Sequence, residues 1–196
     1  MEEGYIKFNC KRIPSDDIPL DKVAALKVWR KIMYDKGLIG MYCDGIGFGN
    51  ISMRCDDNSF LISGSATGGI PDLDKSHYAL VTDYNLQTNS LICKGPINAS
   101  SESLTHAMIY ESSPSTNAVI HVHNLALWKK LIHKVPTSDE KVSYGTTEMA
   151  KEIKRLFEET RLSNEKIIVM AGHEEGIISF GKTLEEAANV LLGNLE

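Results

Sequence analysis

The chain has 196 residues, of which 42% are hydrophobic and 24% charged, a composition typical of globular proteins and not of disordered or fibrous ones. Its 21 basic and 26 acidic residues give a formal net charge of −5, which argues against nucleic acid or an anionic membrane as a partner. The length predicts one domain over residues 1–196, and no stretch approaches the roughly 18 apolar residues of a membrane span.

The cysteines and the N-terminus indicate a cytoplasmic protein. None of the four cysteines forms a C-x-x-C pair, and a chain of this size needs no disulfide scaffold, so we expect reduced thiols. The first five residues, Met-Glu-Glu-Gly-Tyr, are acidic and lack the apolar core of a signal peptide.

In the first half of the chain the pattern predicts one helix followed by short strands. Residues 1–20 show no clear period, whereas a helical spacing of apolar residues begins after Asp21, a candidate N-cap, and stops near Gly37. The glycine-dense run at 45–54 is predicted to enter a strand, a turn follows at residues 56–58, and further strands are expected at 60–62 and near 79–82 and 91–94.

The second half alternates helices and strands irregularly. A helix is predicted over 101–110, with Ser100 or Ser101 as N-cap and Glu102 in the first turn. Further signals predict strands at 117–123, 166–170 and 177–180, a helix from Thr146 to about residue 159, and a final helix opened by a capping box at 183–186. This order indicates one layered α/β domain with a mixed sheet.

The most specific local feature is His121-Val122-His123 within a predicted strand. Side chains alternate faces along a strand, so the two imidazoles lie on one face, about 6.5–7 Å apart along the strand, and could converge on one metal ion. Ala118, Ile120 and Val122 fill the other face. The alternative interpretation is a pair of surface histidines on an exposed strand.

Two distant residues could complete a metal site. His173 lies in a predicted turn between two strands, and Glu102 follows two serines at a helix start. Three imidazoles and a carboxylate would suit Zn²⁺ or a similar divalent ion. The spacing alone does not join these residues, and His173 as an ordinary turn residue and Glu102 as a helix-dipole carboxylate remain open.

Three segments could bind an anion. Gly49-Asn50 offers an approachable backbone and an amide, the loop from Ser65 to Gly69 offers hydroxyl and N–H groups, and Ser100-Ser101 precedes a helix N-terminus. Each of them could equally be a simple turn. The glycine run lacks dinucleotide-binding spacing, no Walker lysine is present, and His77, His106 and His133 are interpreted as structural or surface residues.

Taken in order, these segments resemble the class II aldolase/adducin family from about residue 21 to 192. The matching blocks are Gly-Asn-Ile-Ser at 49–52, the loop at 65–69, Ser-Ser-Glu at 100–102, Ala-Val-Ile-His-Val-His at 118–123, Gly-Thr at 145–146 and Gly-His at 172–173. The resemblance implies a three-layer α/β/α fold around a mostly antiparallel sheet. It also implies a homotetramer with active sites between subunits.

The resemblance also implies a role for each matching residue. His121, His123 and His173 would hold Zn²⁺ or another divalent metal, and Glu102 would ligate the resting metal and act as the acid/base. Asn50, Thr67, Gly68, Ser100 and Ser101 would line the phosphate and enediolate site.

The implied reaction is aldol cleavage of a small phosphorylated ketose through a metal-bound enediolate. Fuculose-phosphate aldolases carry a tyrosine four residues before the Gly-Thr glycine; Lys141 stands there in this chain, so Tyr144 is the nearest catalytic candidate. The alternatives are a sugar-phosphate epimerase or a methylthioribulose-phosphate dehydratase with the same metal site, and a non-catalytic, adducin-like module.

Overall fold

The computed structural model describes residues 6–56 and 58–195. The N-terminal residues 1–5, on which the signal-peptide argument rests, and Asp57 of the predicted turn lie outside the described residues.

The described chain contains short strands interspersed with helices. The strands are β1 (Asn9–Ile13), β2 (Gly40–Met41), β3 (Gly47–Phe48), β4 (Asn50–Arg54), β5 (Phe60–Ser63), β6 (Tyr78–Asn85), β7 (Ser90–Lys94), β8 (Ala118–His123), β9 (Ile167–Val169) and β10 (Gly176–Gly181). The helices are α1 (Leu20–Asp35), α2 (Ser103–Ser112), α3 (Leu125–Leu131), α4 (Thr147–Glu159), α5 (Leu162–Glu165) and α6 (Leu184–Leu195).

Eight of these strands form one sheet in the order β1-β7-β6-β5-β4-β8-β10-β9. Every neighbouring pair is antiparallel except β1 and β7, which are parallel. Strands β2 and β3 form a separate hairpin. The predicted α/β fold with a mostly antiparallel central sheet is confirmed.

The sheet carries an apolar cluster on each face, and strand β8 shows how one strand serves both. Ala118, Ile120 and Val122 belong to a cluster that includes α1, α3 and α6. Val119 belongs to the other cluster, with α2, α4 and α5. His121 and His123 share the face of Val119, because side chains alternate along a strand, so both imidazoles lie on the side of the sheet that carries α2, α4 and α5.

Several predicted boundaries need correction. Strand β1 lies in the lead-in segment predicted to have no period; it pairs at the sheet edge and is mostly exposed, so it needs no apolar alternation. Helices α3 and α5, with 7 and 4 residues, are too short to show a helical period and were not predicted. Helix α1 begins after Pro19 and not at Asp21.

The helix starts near the site also differ in detail. Glu102 itself is the N-cap position of α2, with no side-chain cap, so the prediction of a serine N-cap and a first-turn Glu102 is wrong. Thr146 caps α4 as predicted, since its Oγ1 accepts a hydrogen bond from the Met149 N–H. At α6 the Thr183 hydroxyl accepts from the Glu186 N–H, while the Glu186 carboxylate accepts from the Lys182 N–H, one residue before the predicted partner.

Candidate metal and anion site

The three histidines of the predicted metal site lie together in the interior. His121 and His123 come from β8 and His173 from the turn before β10, and all three are buried. One nitrogen from each ring can be chosen so that all three lie within 4.8 Å of one another. The alternative of two surface histidines is therefore wrong, and the cluster has the composition and spacing to hold a divalent metal.

The turn that carries His173 is fixed by its backbone and by close packing. The His173 N–H donates to the Met170 carbonyl, and the His173 carbonyl accepts from the Gly176 N–H, 2.9 Å away. A Cβ at Gly172 would lie 2.2 Å from the Val142 carbonyl oxygen, so only glycine fits there. This crowding holds the turn against the loop before α4 and places His173 beside β8.

Glu102 lies between two of the imidazoles. Its Oε2 is 2.9 Å from His121 Nδ1 and its Oε1 is 3.3 Å from His173 Nδ1, and the side chain is buried. Burial by itself would raise the pKa of Glu102, but the His121 and His173 imidazoles outweigh burial and hold that pKa well below its usual range. Glu102 is therefore a buried carboxylate that stays ionised.

The polar atoms of this cluster test whether a metal ion fits. Within the described residues, neither Glu102 oxygen accepts a well-oriented hydrogen bond, and His121 Nε2 has no hydrogen-bond partner. Burial, and then the neighbouring imidazoles, hold the pKa of His123 well below its usual range, which leaves that ring neutral. The neutral His123 imidazole, the ionised Glu102 carboxylate and the unpaired His121 Nε2 are groups that a divalent cation satisfies.

Tyr42 and Glu175, which the sequence analysis did not identify, form a hydrogen-bond chain to the His123 ring. The Tyr42 hydroxyl on the β2–β3 hairpin lies 2.8 Å from His123 Nδ1 and donates to Glu175 Oε2 at 2.7 Å. A hydrogen-bond chain of this type fixes the tautomer and orientation of a metal-binding imidazole. The Phe48 ring packs against His123 with centroids 5.4 Å apart.

The residues predicted to bind phosphate line one small cleft beside the histidines. Asn50 lies directly opposite His121 in the β4–β8 register, with its Nδ2 3.4 Å from His121 Nδ1. The cleft is lined by glycines 47, 49, 64 and 68 and by Phe48, Asn50, Ser65, Ala66, Thr67, Ser100, Ser101, Glu102 and His121. The fold thus joins the predicted phosphate residues to the predicted metal site.

The loop formed by residues 64–69 presents backbone groups to this cleft. Within the described part of the chain, the N–H groups of Ala66, Thr67 and Gly68 donate no hydrogen bond to the protein. The Thr67 hydroxyl, in contrast, donates to the Gly64 carbonyl at 2.8 Å, so it shapes the loop and its proton is committed. A Cβ at Gly68 would lie 2.4 Å from the Gly40 carbonyl oxygen, which explains the glycine there.

The remaining candidates lie outside the cleft. Tyr144 is buried, and its ring packs on His173 with centroids 4.5 Å apart. His106 is buried next to Ser52, whose hydroxyl is 2.7 Å from its Nδ1, and burial lowers the pKa of His106 to about 3. His77 belongs to a capping box, and His133 is exposed. These histidines have the structural and surface positions that were predicted.

Comparisons with known proteins agree with this geometry. The model of the class II aldolase and adducin N-terminal domain matches residues 31–193. An L-fuculose phosphate aldolase of Methanococcus maripaludis is 28% identical over 183 residues, which cover 86% of this chain and 88% of the relative.

Solved structures show the same fold. An L-fuculose 1-phosphate aldolase superposes with a TM-score of 0.68 at 20% identity, covering 92% of this chain and 84% of its own. The L-fuculose-1-phosphate aldolase of Thermus thermophilus superposes with a TM-score of 0.62 at 22% identity, covering 88% of each chain. Among the described residues, no helix has the length and apolar character needed to cross a membrane.

Proposed function

Because the chain belongs to the class II aldolase and adducin family, we propose that it is a metal-dependent aldolase that cleaves a small phosphorylated ketose. One observation carries this proposal: a cleft with free backbone N–H groups on its 64–69 loop is also lined by Glu102 and His121, which belong to the cluster of three buried imidazoles and a buried carboxylate. A phosphate and a reacting carbonyl group a few atoms away would both find partners in such a cleft.

In this proposal the loop end of the cleft binds the phosphate. The N–H groups of residues 66–68, the Asn50 amide and the Ser101 hydroxyl supply neutral donors, and Ser100 shapes the start of α2, since its Oγ accepts from the Glu102 N–H. Helix α2 adds the positive end of its dipole. These groups would orient the substrate and keep water out of the closed end.

At the other end, Glu102 is the proposed acid/base. Its carboxylate is buried and ionised, and it lies between the His121 and His173 imidazoles at the edge of the cleft. We propose that Glu102 moves the proton at the nucleophilic carbon of the substrate. Tyr144, packed on His173, stays the candidate for the proton at the departing aldehyde.

His121, His123 and His173 would hold the metal, for which we propose Zn²⁺ because three imidazoles and one carboxylate suit its tetrahedral preference. When bound, the ion would supply Lewis-acid stabilisation of the negative charge that develops at the substrate carbonyl, commonly worth several kcal/mol. From the family we also propose a three-layer α/β/α arrangement, a homotetramer and a cytoplasmic location.

A sugar-phosphate epimerase or a methylthioribulose-phosphate dehydratase stays the second candidate. The observation that favours it is the departure at Lys141, which leaves the position of the fuculose-phosphate aldolase tyrosine without a phenol. A non-catalytic, adducin-like module would have no need for a buried ionised carboxylate between imidazoles, so we rank it last.

A product assay tests the proposed function. We expect the zinc-loaded protein to release dihydroxyacetone phosphate from at least one member of a panel of ketose 1-phosphates, and the His121→Ala variant to release none. Cleavage of no panel member, together with epimerisation or dehydration of one, would contradict the aldolase proposal and support the second candidate.

A further inference from the structure

A buried arginine outside the cleft lining binds carbonyl groups of the 64–69 loop. Arg30 on α1 is only 2% exposed. Its guanidinium donates to the carbonyls of Thr67 at 3.0 Å, Gly68 at 2.6 Å and Pro71 at 2.9 Å. Tyr34, one turn further along α1, stacks against the guanidinium at 4.7 Å and donates a long hydrogen bond to the Gly69 carbonyl.

This guanidinium has no carboxylate partner among the described residues. Asp72 and Asp35 influence it only at a distance, and all of its hydrogen bonds go to neutral carbonyls. Burial lowers the pKa of Arg30, but a guanidinium stays protonated in proteins near neutral pH. Burying a charge without a counter-charge is unfavourable, so the presence of this guanidinium indicates a role beyond packing.

The position of the charge indicates that role. Arg30 binds the carbonyls of Thr67 and Gly68, two residues that line the cleft and whose own N–H groups make no hydrogen bond within the described part of the protein. Because the carbonyl and the N–H of one peptide unit point in opposite directions, holding the Thr67 carbonyl toward Arg30 turns the N–H of the same unit, that of Gly68, away from Arg30, and Gly68 lines the cleft. The guanidinium also polarises these peptide groups, which makes their N–H groups better donors.

We propose that Arg30 is the positioning residue of the anion site: it orients the 64–69 loop and supplies, from behind it, the positive charge that a bound phosphate dianion balances. The proposal rests on the proposed function, from which it takes the phosphate. In this proposal the anion site has neutral donors at the cleft and a buried positive charge, that of Arg30, bound to carbonyls of the same loop. The expected substrate class is therefore a phosphate monoester. An unphosphorylated analogue would carry no negative charge to balance that of Arg30.

The test measures phosphate binding without turnover. Inorganic phosphate is titrated by calorimetry into the full-length, zinc-loaded protein and into Arg30→Lys and Arg30→Gln. Lysine keeps the charge, whereas glutamine keeps hydrogen-bond donors for the carbonyls without the charge. We expect Arg30→Gln to bind phosphate about tenfold or more weakly than the wild type, on the scale of one charge-assisted contact, and Arg30→Lys to bind more tightly than Arg30→Gln.

Arg54 provides a matched control away from the cleft. Its guanidinium also binds backbone carbonyls, those of Thr116 at 2.9 Å and Tyr110 at 2.7 Å. Arg54→Gln is expected to lower the free energy of unfolding and leave phosphate affinity unchanged. Binding of unphosphorylated dihydroxyacetone, measured in parallel, is expected to be the same in wild type and folded Arg30 variants.

Three results would overturn the proposal: no binding of inorganic phosphate by the wild type, equal binding by Arg30→Lys and Arg30→Gln, or an equal loss for dihydroxyacetone. If Arg30→Gln does not fold, Arg30→Lys and Arg30→Met are compared in a stabilising osmolyte. Arg30→Lys must then bind phosphate more tightly than Arg30→Met. Failure of the proposed reaction would be distinguishable, because cleavage of no ketose phosphate would leave an Arg30-dependent phosphate site in place.

Discussion

At one end of the cleft, Glu102 and His121 meet through side chains, with His173 behind them, whereas at the other end residues 64–69 contribute mainly backbone N–H groups. The first end depends on the identity of a few side chains held by β8, by a turn and by the start of α2. The second end depends on the conformation of the 64–69 loop. Hydrogen bonds from Arg30 to its carbonyls and close packing of the β2–β3 hairpin on Gly68 stabilise that conformation.

This difference predicts how each end responds to substitution. Loss of one ligand or acid/base group removes a chemical capacity that no neighbour replaces, so effects at the histidine end should be large. Backbone donors at the loop end survive most side-chain changes, so single substitutions there should weaken binding without abolishing chemistry. The variants below test this contrast, from the largest expected effect to the smallest.

Alanine at any of the three clustered histidines should have the largest effect. We expect His121→Ala, His123→Ala and His173→Ala to lose the bound divalent ion and all detectable activity, because two imidazoles and a carboxylate hold an ion much more weakly than the full set. Elemental analysis of the purified variants measures the metal content. Full occupancy in a folded variant would rule out that histidine as a ligand.

His133 offers the control. It is exposed and has a φ of 61°, a left-handed conformation that asparagine tolerates well, so His133→Asn avoids backbone strain. This variant should retain its metal. Loss of metal from a folded His133→Asn would mean that a different set of histidines binds the ion.

Glu102→Gln should retain most of its metal and lose turnover by about 10²–10⁴-fold, the usual contribution of a general acid/base. An amide cannot accept and return a proton, although it keeps the shape of the carboxylate. The measurement is exchange of the dihydroxyacetone phosphate methylene proton with solvent, followed by NMR in D₂O together with metal content. Near wild-type exchange in a metal-replete variant would exclude Glu102 as the acid/base.

Tyr42→Phe should weaken metal affinity by about 10–100-fold, the usual cost of losing a hydrogen-bond partner behind a metal ligand. The variant keeps the ring packing on Phe48 and removes only the hydroxyl between His123 and Glu175. Competition with a chromophoric chelator measures the affinity. Tyr84→Phe, outside the cluster, should bind the metal like the wild type, and an unchanged affinity in Tyr42→Phe would limit Tyr42 to packing.

Ser101→Ala should have the smallest effect, about a tenfold loss of affinity for phosphorylated ligands with little change for unphosphorylated ones. Only one of several donors is lost, and the backbone N–H groups stay in place. Calorimetric titration with dihydroxyacetone phosphate and dihydroxyacetone compares the two. Ser103→Ala is the control, since the Ser103 hydroxyl donates to the Ser100 carbonyl in the interior and should affect unfolding only. Equal losses for both ligands would restrict Ser101 to a structural role.

Local sequence determined those parts of the molecule that short-range geometry fixes. The His-Val-His spacing predicted two imidazoles on one face of a strand, because side chains alternate with a period of two, and β8 has that arrangement. Thr146 predicted the start of α4 because a cap needs only the next turn of backbone. The family resemblance of ordered motifs then predicted the antiparallel sheet and the set of residues around the site.

Only the tertiary structure decided what depends on contacts between distant segments. Edge strand β1 and the short helices α3 and α5 have little periodic signal of their own, and strand β1 depends on pairing with β7. Tyr42 and Glu175 are 133 positions apart and meet only because the β2–β3 hairpin folds over His123. In sequence Arg30 fits the polar face of an ordinary amphipathic helix. Its buried charge follows from the packing of α1 beneath the 64–69 loop, a long-range contact that helical periodicity cannot encode.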